Sequence, residues 1–495
     1  METFILSIDQ GTTSTRAILF DAAGAPRASY GVELRQYYPQ PGFVEHDPTE
    51  IIGSVYQCIH GVLEKADVSP QQIQAIGITN QRETVIAFDP QTGKPLLNAI
   101  VWQCRRSADI CAELRQDGMA STIKHKTGLV IDPYFTATKI QWIFENVPGA
   151  YKRAMDGRLC FATVDAWILY HLTGKRVFAT DVTNASRTML FNINTLDYDD
   201  ELLTAFAVPR YALPQVLPSC GVMGYTDPSI LGVEIPIAAM AGDQQAALFG
   251  HGCLRRGDAK NTYGTGCFLL MNIGEKPVMT RDLITTLTAT SDGSTQYALE
   301  GSVFVAGAAV KWLRDQLGII KSAAQTEAMA LSVRDSGGVY VVPAFTGLGA
   351  PYWNMDSRGL IIGLTRGTRR EHIVRATLES IAYSTMDVLN LMAMAAQNPI
   401  FALKVDGGAC ANDFLMQFQA DLMGARVLRP QYQEATALGA AYLAGIAVGF
   451  YGENDPINLW ELEQEFSPTM AKDVRTELLH KWHDAVGRTL DWAKQ

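Results

Sequence analysis

Two apolar runs near the start of the chain, FILSID and TRAILFD, flank a polar Gly/Thr/Ser loop, and this pattern predicts a β-hairpin. From residue 31, GVELRQYYPQPGFVEHDP is broken by Pro39, Pro41 and Pro48 and reads as irregular chain. TEIIGSVYQCIHGVLEKAD then places Ile52, Val55, Ile59, Val62 and Leu63 at helical spacing, with Asp47 or Thr49 available as a cap. IQAIGIT and TVIAFDP are strand-like, and segments 105–125 and 136–175 read mainly as helices. The alternation continues to about residue 250 and then starts again. DAKNTYGTGCFLLMNIG is once more strand, Gly-rich turn, strand, and LKVDGGACANDFLMQFQADLMG is a strand, a glycine turn and a helix. The expected fold is therefore α/β in two halves, each opened by a glycine-turn hairpin. The boundary is placed near HGCLRRGD, giving domains 1–250 and 251–495.

Length supports the division, since 495 residues exceed one ordinary core. With 47% hydrophobic and 19% charged residues the chain reads as soluble and globular. A formal charge of −10 argues against nucleic acid or an anionic membrane as the main partner. The densest basic run, RGTRREH at 366–372, reads as a solvated turn and helix start. The uncharged stretch ATALGAAYLAGIAVGFYG at 435–452 falls short of the roughly 20 residues a membrane span needs. Its Gly and Ala content predicts a buried helix packed closely on a neighbour, and no membrane insertion. The start of the chain has neither the basic region nor the apolar stretch of a signal peptide. The eight cysteines form no CxxC, so they are expected to be small buried residues in a reducing, cytoplasmic setting.

The candidate chemistry lies in three glycine turns. In SIDQGTTSTR, Gly11 permits a tight approach, the amides and hydroxyls of Thr12, Thr13 and Ser14 can meet phosphate oxygens, and Asp9 can hold a Mg²⁺-bound water. This stretch looks built to hold an anion yet has no lysine; it is not the GxxxxGK[ST] loop, and Arg16 is the available positive charge. In NTYGTGC, Gly264 and Gly266 flank Thr265, another hydroxyl able to reach a terminal phosphate. In VDGGACAND, Gly407 and Gly408 follow a strand, where backbone can lie against a base or ribose, with Asn412 offering an amide. Each turn alone is an ordinary structural feature. Three in one chain, the first led by an acid, point to nucleotide binding.

In order along the chain, DQGTTSTRA, GITNQRET, VWQCRR, GLVIDPYF, AGDQQAALFG, KNTYGTGCF, VPAFTGLGAPYW and VDGGACAND resemble the glycerol kinases, within the carbohydrate kinases of the actin-like ATPase superfamily. The likeness runs from residue 5 to about 470, and YFTATKIQWIFEN at 134–146 resembles a signature of the wider kinase family. The resemblance implies two ribonuclease-H-like domains closing over a central cleft, in homodimers or homotetramers. It implies transfer of the γ-phosphoryl of ATP, with Mg²⁺, to glycerol, giving sn-glycerol 3-phosphate and ADP. Asp243 matches the catalytic aspartate, and a hydroxyl nucleophile needs such a proton acceptor. Mg²⁺ is expected near Asp9 and Asp243. Arg82, Glu83, Tyr134 and Gln244 match the polar partners of glycerol, and Trp102 and Phe268 the flat wall against its carbons. Thr12, Thr13, Ser14, Arg16 and Thr265 match phosphate contacts, and Gly307, Gly408 and Asn412 the nucleoside pocket. Lys311 stands where relatives often carry Gln, a departure in the nucleotide contact.

Arg82 and Glu83 raise a geometric question, because neighbours on a strand face opposite sides. Asn80 and Gln81 place them beyond the strand, in a loop that can aim both inward. Two alternatives remain open: a related kinase for another polyol or sugar, and an actin-like ATPase acting on a protein partner. TNQRET and VWQCRR favour a small-polyol kinase over the latter. TDPSILGVEIP, where some relatives bind a sugar bisphosphate, has no basic residue, and no histidine lies between His171 and His251, so control by either route is not expected.

Overall fold

The computed structural model describes residues 2–494. The first hairpin, Phe4–Gln10 and Ser14–Phe20, forms as the pattern predicts, with Asp9 opposite Arg16 in its register. A third strand, Pro26–Glu33, extends it. That strand is half exposed at the sheet edge, so it lacks the continuous apolar run of its neighbours. Ile73–Asn80 runs parallel to Phe4–Gln10, Pro236–Gly242 parallel to Ile73–Asn80, and Cys220–Tyr225 closes the six-stranded sheet.

One face of this sheet, through Phe4, Leu6, Ile8 and Leu19, packs on helices Pro48–Ala66 and Val164–Leu172. The first of these starts at Asp47, whose carboxylate accepts from Thr49 N, and buries Ile52, Val55, Ile59, Val62 and Leu63. The other face, through Ile5, Ile18 and Phe20, packs on Ala435–Ala447, a helix of the second half. This is the uncharged stretch, and it is buried against neighbours as its composition predicts. Among the described residues no helix is long and apolar enough to cross a membrane.

The second half repeats the plan. Ala259–Tyr263, Cys267–Gly274 and Tyr297–Val303 are antiparallel, while Ala402–Asp406 and Arg426–Pro430 add in parallel. Edge strands Ile284–Leu287 and Leu462–Phe466 make seven strands in all. The two halves exchange helices. Asp243–Gly250, which continues from the first sheet, sets Leu248 against Leu270 and Ala298 of the second. It crosses Ala435–Ala447 at bare backbone: a Cβ on Gly439 would stand 1.8 Å from Ala246 O, and one on Gly250 2.1 Å from Ala435 O. Glycine is required there because no side chain fits between the two helices.

Two segments expected to be mainly helical are more broken than their pattern implies. The first holds Ala108–Gln116 and Ala120–Thr127, separated at Gly118, whose φ is +75°. The second holds Thr136–Asn146, Ala150–Met155 and Val164–Leu172, with a short strand Cys160–Ala162 that pairs with Ile86–Phe88. The cysteines are all free, and all but Cys220 are buried.

Candidate active site

The second and third glycine turns lie against each other, and the first hairpin is linked to the second half through Arg16 and Glu434. In the first hairpin Gly11 N donates to Ser14 O at 2.9 Å, leaving Thr12, Thr13 and Ser14 along the lip. Asp9 and Arg16 are joined at 3.3 Å, and Arg16 reaches on to Glu434 at 2.8 Å. Burial raises the Asp9 carboxyl to about 6; Arg16 opposes that rise, and the charges of Asp243 and Glu434 add to it. Asp9 and Asp243 stand at the same end of one sheet, beside a hydroxyl-rich turn, and carboxylate and hydroxyl oxygens are the donors that a hard cation such as Mg²⁺ takes. Among the described residues no three His, Cys, Asp or Glu side chains converge on a metal position.

The second hairpin turns at Gly264-Thr265-Gly266, with Thr265 exposed. The start of helix Gly307–Asp315 is fastened to this turn: Gly307 N donates to Gly264 O at 3.0 Å and Ala308 N to Thr265 O at 3.1 Å. Lys311 stands one turn along that helix, exposed. Gly407 has φ +84°, and a Cβ on it would stand 2.6 Å from Tyr263 O, so the turn after Ala402–Asp406 lies directly on the hairpin strand. Gly408 faces open space. Asn412 is already engaged, its Oδ1 accepting from Leu415 N as a helix cap and its Nδ2 donating to Thr326 Oγ1.

Arg82 and Glu83 do lie beyond the strand, which ends at Asn80. Glu83 has φ +62°, a strained conformation for a residue with a side chain. Both side chains enter one buried charge cluster. Arg82 Nε stands 3.1 Å from Asp243 Oδ1, and its Nη1 and Nη2 stand 2.6 and 3.0 Å from the two oxygens of Glu300. Arg187 Nε donates to Glu83 Oε1 at 2.5 Å, and its Nη2 to Glu300 Oε1 at 3.0 Å. Burial by itself would raise the Glu300 carboxyl, but Arg187 and Arg82 outweigh it and hold it at about 2. Asp243, at the mouth of the cluster, keeps 31% of its side chain exposed and so remains open to a ligand.

Three of the aromatic residues also lie together. Trp102 meets Tyr134 edge-on at 5.4 Å and Phe268 at 6.5 Å. Trp102 Nε1 donates to Thr12 Oγ1 at 2.9 Å, which ties the wall to the phosphate hairpin. Gln244 follows Asp243 on the exchanged helix, and its Oε1 accepts from Lys260 Nζ. Sequence reasoning missed Arg187, Glu300 and Lys260. For Glu300 the available signal was a lone charge inside an otherwise apolar strand, YALEGSV, since such a charge needs a buried partner.

The model of the N-terminal domain of the FGGY family of carbohydrate kinases matches residues 4–250, and that of the C-terminal domain residues 259–448. A glycerol kinase of Caldanaerobacter subterraneus subsp. tengcongensis is 56% identical, with both chains covered in full. Glycerol kinase 2 of Thermotoga maritima is 56% identical over 99% of this chain and 100% of its own. Among solved structures, Plasmodium falciparum glycerol kinase with ADP superposes with a TM-score of 0.93 at 36% identity, covering 99% of this chain and 98% of its own. A xylulose kinase of Lactobacillus acidophilus, 23% identical with a TM-score of 0.87 over 98% and 97% of the two chains, shares the fold. The expected two-domain α/β architecture is the one found, and the chain belongs to the FGGY family of carbohydrate kinases.

Proposed function

We propose that this kinase phosphorylates glycerol, converting ATP and glycerol to ADP and sn-glycerol 3-phosphate. The observation that carries the reading is the contact of Arg82 with Asp243 at 3.1 Å, beside Glu83 and under the wall of Trp102, Tyr134 and Phe268. A short polyol has hydroxyls on one edge and carbons on the other, and this pocket has both kinds of surface. The near-identical length and 56% identity to the two bacterial glycerol kinases support the same substrate.

Asp243 accepts the proton of the terminal hydroxyl as that oxygen bonds to the γ-phosphorus. The bond from the γ-phosphorus to the β–γ bridging oxygen breaks in line, and ADP leaves with the electron pair. Arg82, fixed on its far side by Glu300, holds the polyol and the base in one geometry, so the attack proceeds within a preassembled pair. Thr12, Thr13, Ser14, Arg16 and Thr265 face the phosphates. Asp9, through water, and Asp243 would hold Mg²⁺, which when bound neutralises charge on the β- and γ-oxygens. Water competes for the same phosphoryl group, and closure of the cleft over glycerol limits that loss.

The test is ADP release with ATP and Mg²⁺, with and without glycerol, and with xylulose as the rival acceptor. Glycerol is expected to raise turnover by about 100-fold or more. Equal rates with and without glycerol, or faster turnover with xylulose, would sink the assignment.

The link from wall to hairpin gives a second expectation. Trp102→Phe keeps a flat ring but removes the donor to Thr12. The KM for ATP is expected to rise about 3- to 10-fold, the value of one ordinary hydrogen bond, with the KM for glycerol changed less. A rise in the glycerol constant alone would show that the indole N–H does not order the hairpin.

A further inference from the structure

The phosphate hairpin lacks a lysine, and the lysine that the second half contributes stands instead beside the polyol pocket. Lys260 lies on strand Ala259–Tyr263 and is fully buried. Its ammonium meets three neutral acceptors: Gln244 Oε1, Thr262 Oγ1 at 2.8 Å and Phe268 O at 3.4 Å. Two of these belong to residues of the polyol pocket. An ammonium only donates, so Gln244 must turn its oxygen toward Lys260. That fixes the amide with Nε2, its donor end, available for a ligand oxygen.

The charge count gives Lys260 a further reason to be there. Asp243, Glu83 and Glu300 are three carboxylates, and Arg82 and Arg187 supply two guanidiniums. Lys260 is a further cation: burial lowers its pKa, and the charges of Asp406 first, then Asp243 and Glu300, oppose that. A buried ammonium without a carboxylate in hydrogen bond is costly unless a neighbouring field stabilises it.

We infer that Lys260 is a positioning residue that locks the Gln244 side chain, so that the polyol pocket offers an amide donor where a rotating amide would offer either end. The inference rests on the glycerol reading of this pocket. The test is a double-mutant cycle on glycerol-dependent ADP release, using the whole chain. Lys260→Met and Gln244→Leu are each expected to raise the KM for glycerol about 10-fold or more, with the KM for ATP within about threefold of wild type. The double variant is expected to be no worse than Gln244→Leu alone, since the lysine acts through the amide. Lys260→Gln keeps a donor and is expected to fall between wild type and Lys260→Met. If Lys260→Met does not fold, the same cycle is run with Lys260→Gln.

An unchanged glycerol KM in Lys260→Met overturns the inference. So do effects that multiply in the double variant. A merely structural lysine would lower the melting temperature and the active fraction without moving the glycerol KM. If the wild type itself shows no glycerol-dependent turnover, the function assignment fails together with the inference, whereas an additive cycle on an active enzyme removes the inference alone.

Discussion

Asp243→Asn is expected to lower kcat by about 10²- to 10⁴-fold while leaving the KM for glycerol within a few-fold of wild type. The substitution suits the test because the geometry survives it. Asp243 Oδ1 accepts from Gln244 N at 2.7 Å and stands 3.1 Å from Arg82 Nε. An asparagine oxygen can keep both contacts, and the side chain has the same size. What is lost is the group that takes a proton. A hydroxyl attacking phosphorus must shed its proton as the new bond forms, and an amide cannot accept it. Steady-state kinetics with both substrates varied separates the roles given to this residue. A loss confined to kcat assigns it to the proton. A change seen only in the KM for Mg·ATP assigns it to the cation instead. A kcat within tenfold of wild type would remove Asp243 as the base.

The parts of this site that were legible in the sequence are local. Each glycine turn lies within a few residues of the strands that create it, so DQGTTST, YGTG and VDGGA can be read as turns from their neighbours alone. The departure of Arg82 and Glu83 from their strand was legible too, because polar residues end the apolar run. The positive φ of Glu83 was not, since nothing in the local pattern asks for it. It follows from the need to bury two adjacent charges on the same side. The third strand, Pro26–Glu33, escaped because an edge strand buries little and so carries a weak pattern.

The exchange of helices between halves is a long-range fact. Gly439 is required by Ala246, and Gly250 by Ala435, nearly 190 residues away. In sequence each is only a small residue in a helix. The same holds for the charge cluster, where Glu300 meets Arg82 across 218 positions. A charge in an apolar strand announces that it has a partner, but its own segment does not say which one.

That partner gives the second large expectation. Glu300→Gln is expected to destabilise the protein by about 3–5 kcal/mol, because it leaves two guanidiniums buried with one carboxylate fewer. For a domain of this size that is a fall in melting temperature of roughly 6–20 °C. Glu300 bonds Arg82 through both oxygens and Arg187 through one, and all three residues are buried. A glutamine oxygen in the place of Oε1 can still accept from Arg82 Nη2 and Arg187 Nη2, but the amide nitrogen would face Arg82 Nη1 and the side chain carries no charge for either arginine. The pH dependence follows in sign. The folded carboxyl is held at about 2, below its usual 4.5, so its contribution is full above the unfolded value and is lost as pH falls from there toward 2. The wild type is expected to lose stability over that acid range more steeply than Glu300→Gln, in which the group no longer titrates. Activity is expected to fall as well, since Arg82 contacts Asp243 through Nε while its other two nitrogens rest on Glu300. Thermal melts between pH 3 and 7, run beside glycerol-dependent turnover at neutral pH, test both. Parallel melting curves for wild type and variant would mean that Glu300 does not hold its proton off in the folded state. Full activity in a destabilised variant would mean that Arg82 finds its position without this anchor. Loss of both is the result the geometry predicts, because the carboxylate that holds the two sheets' charges in balance also sets the arginine against the base.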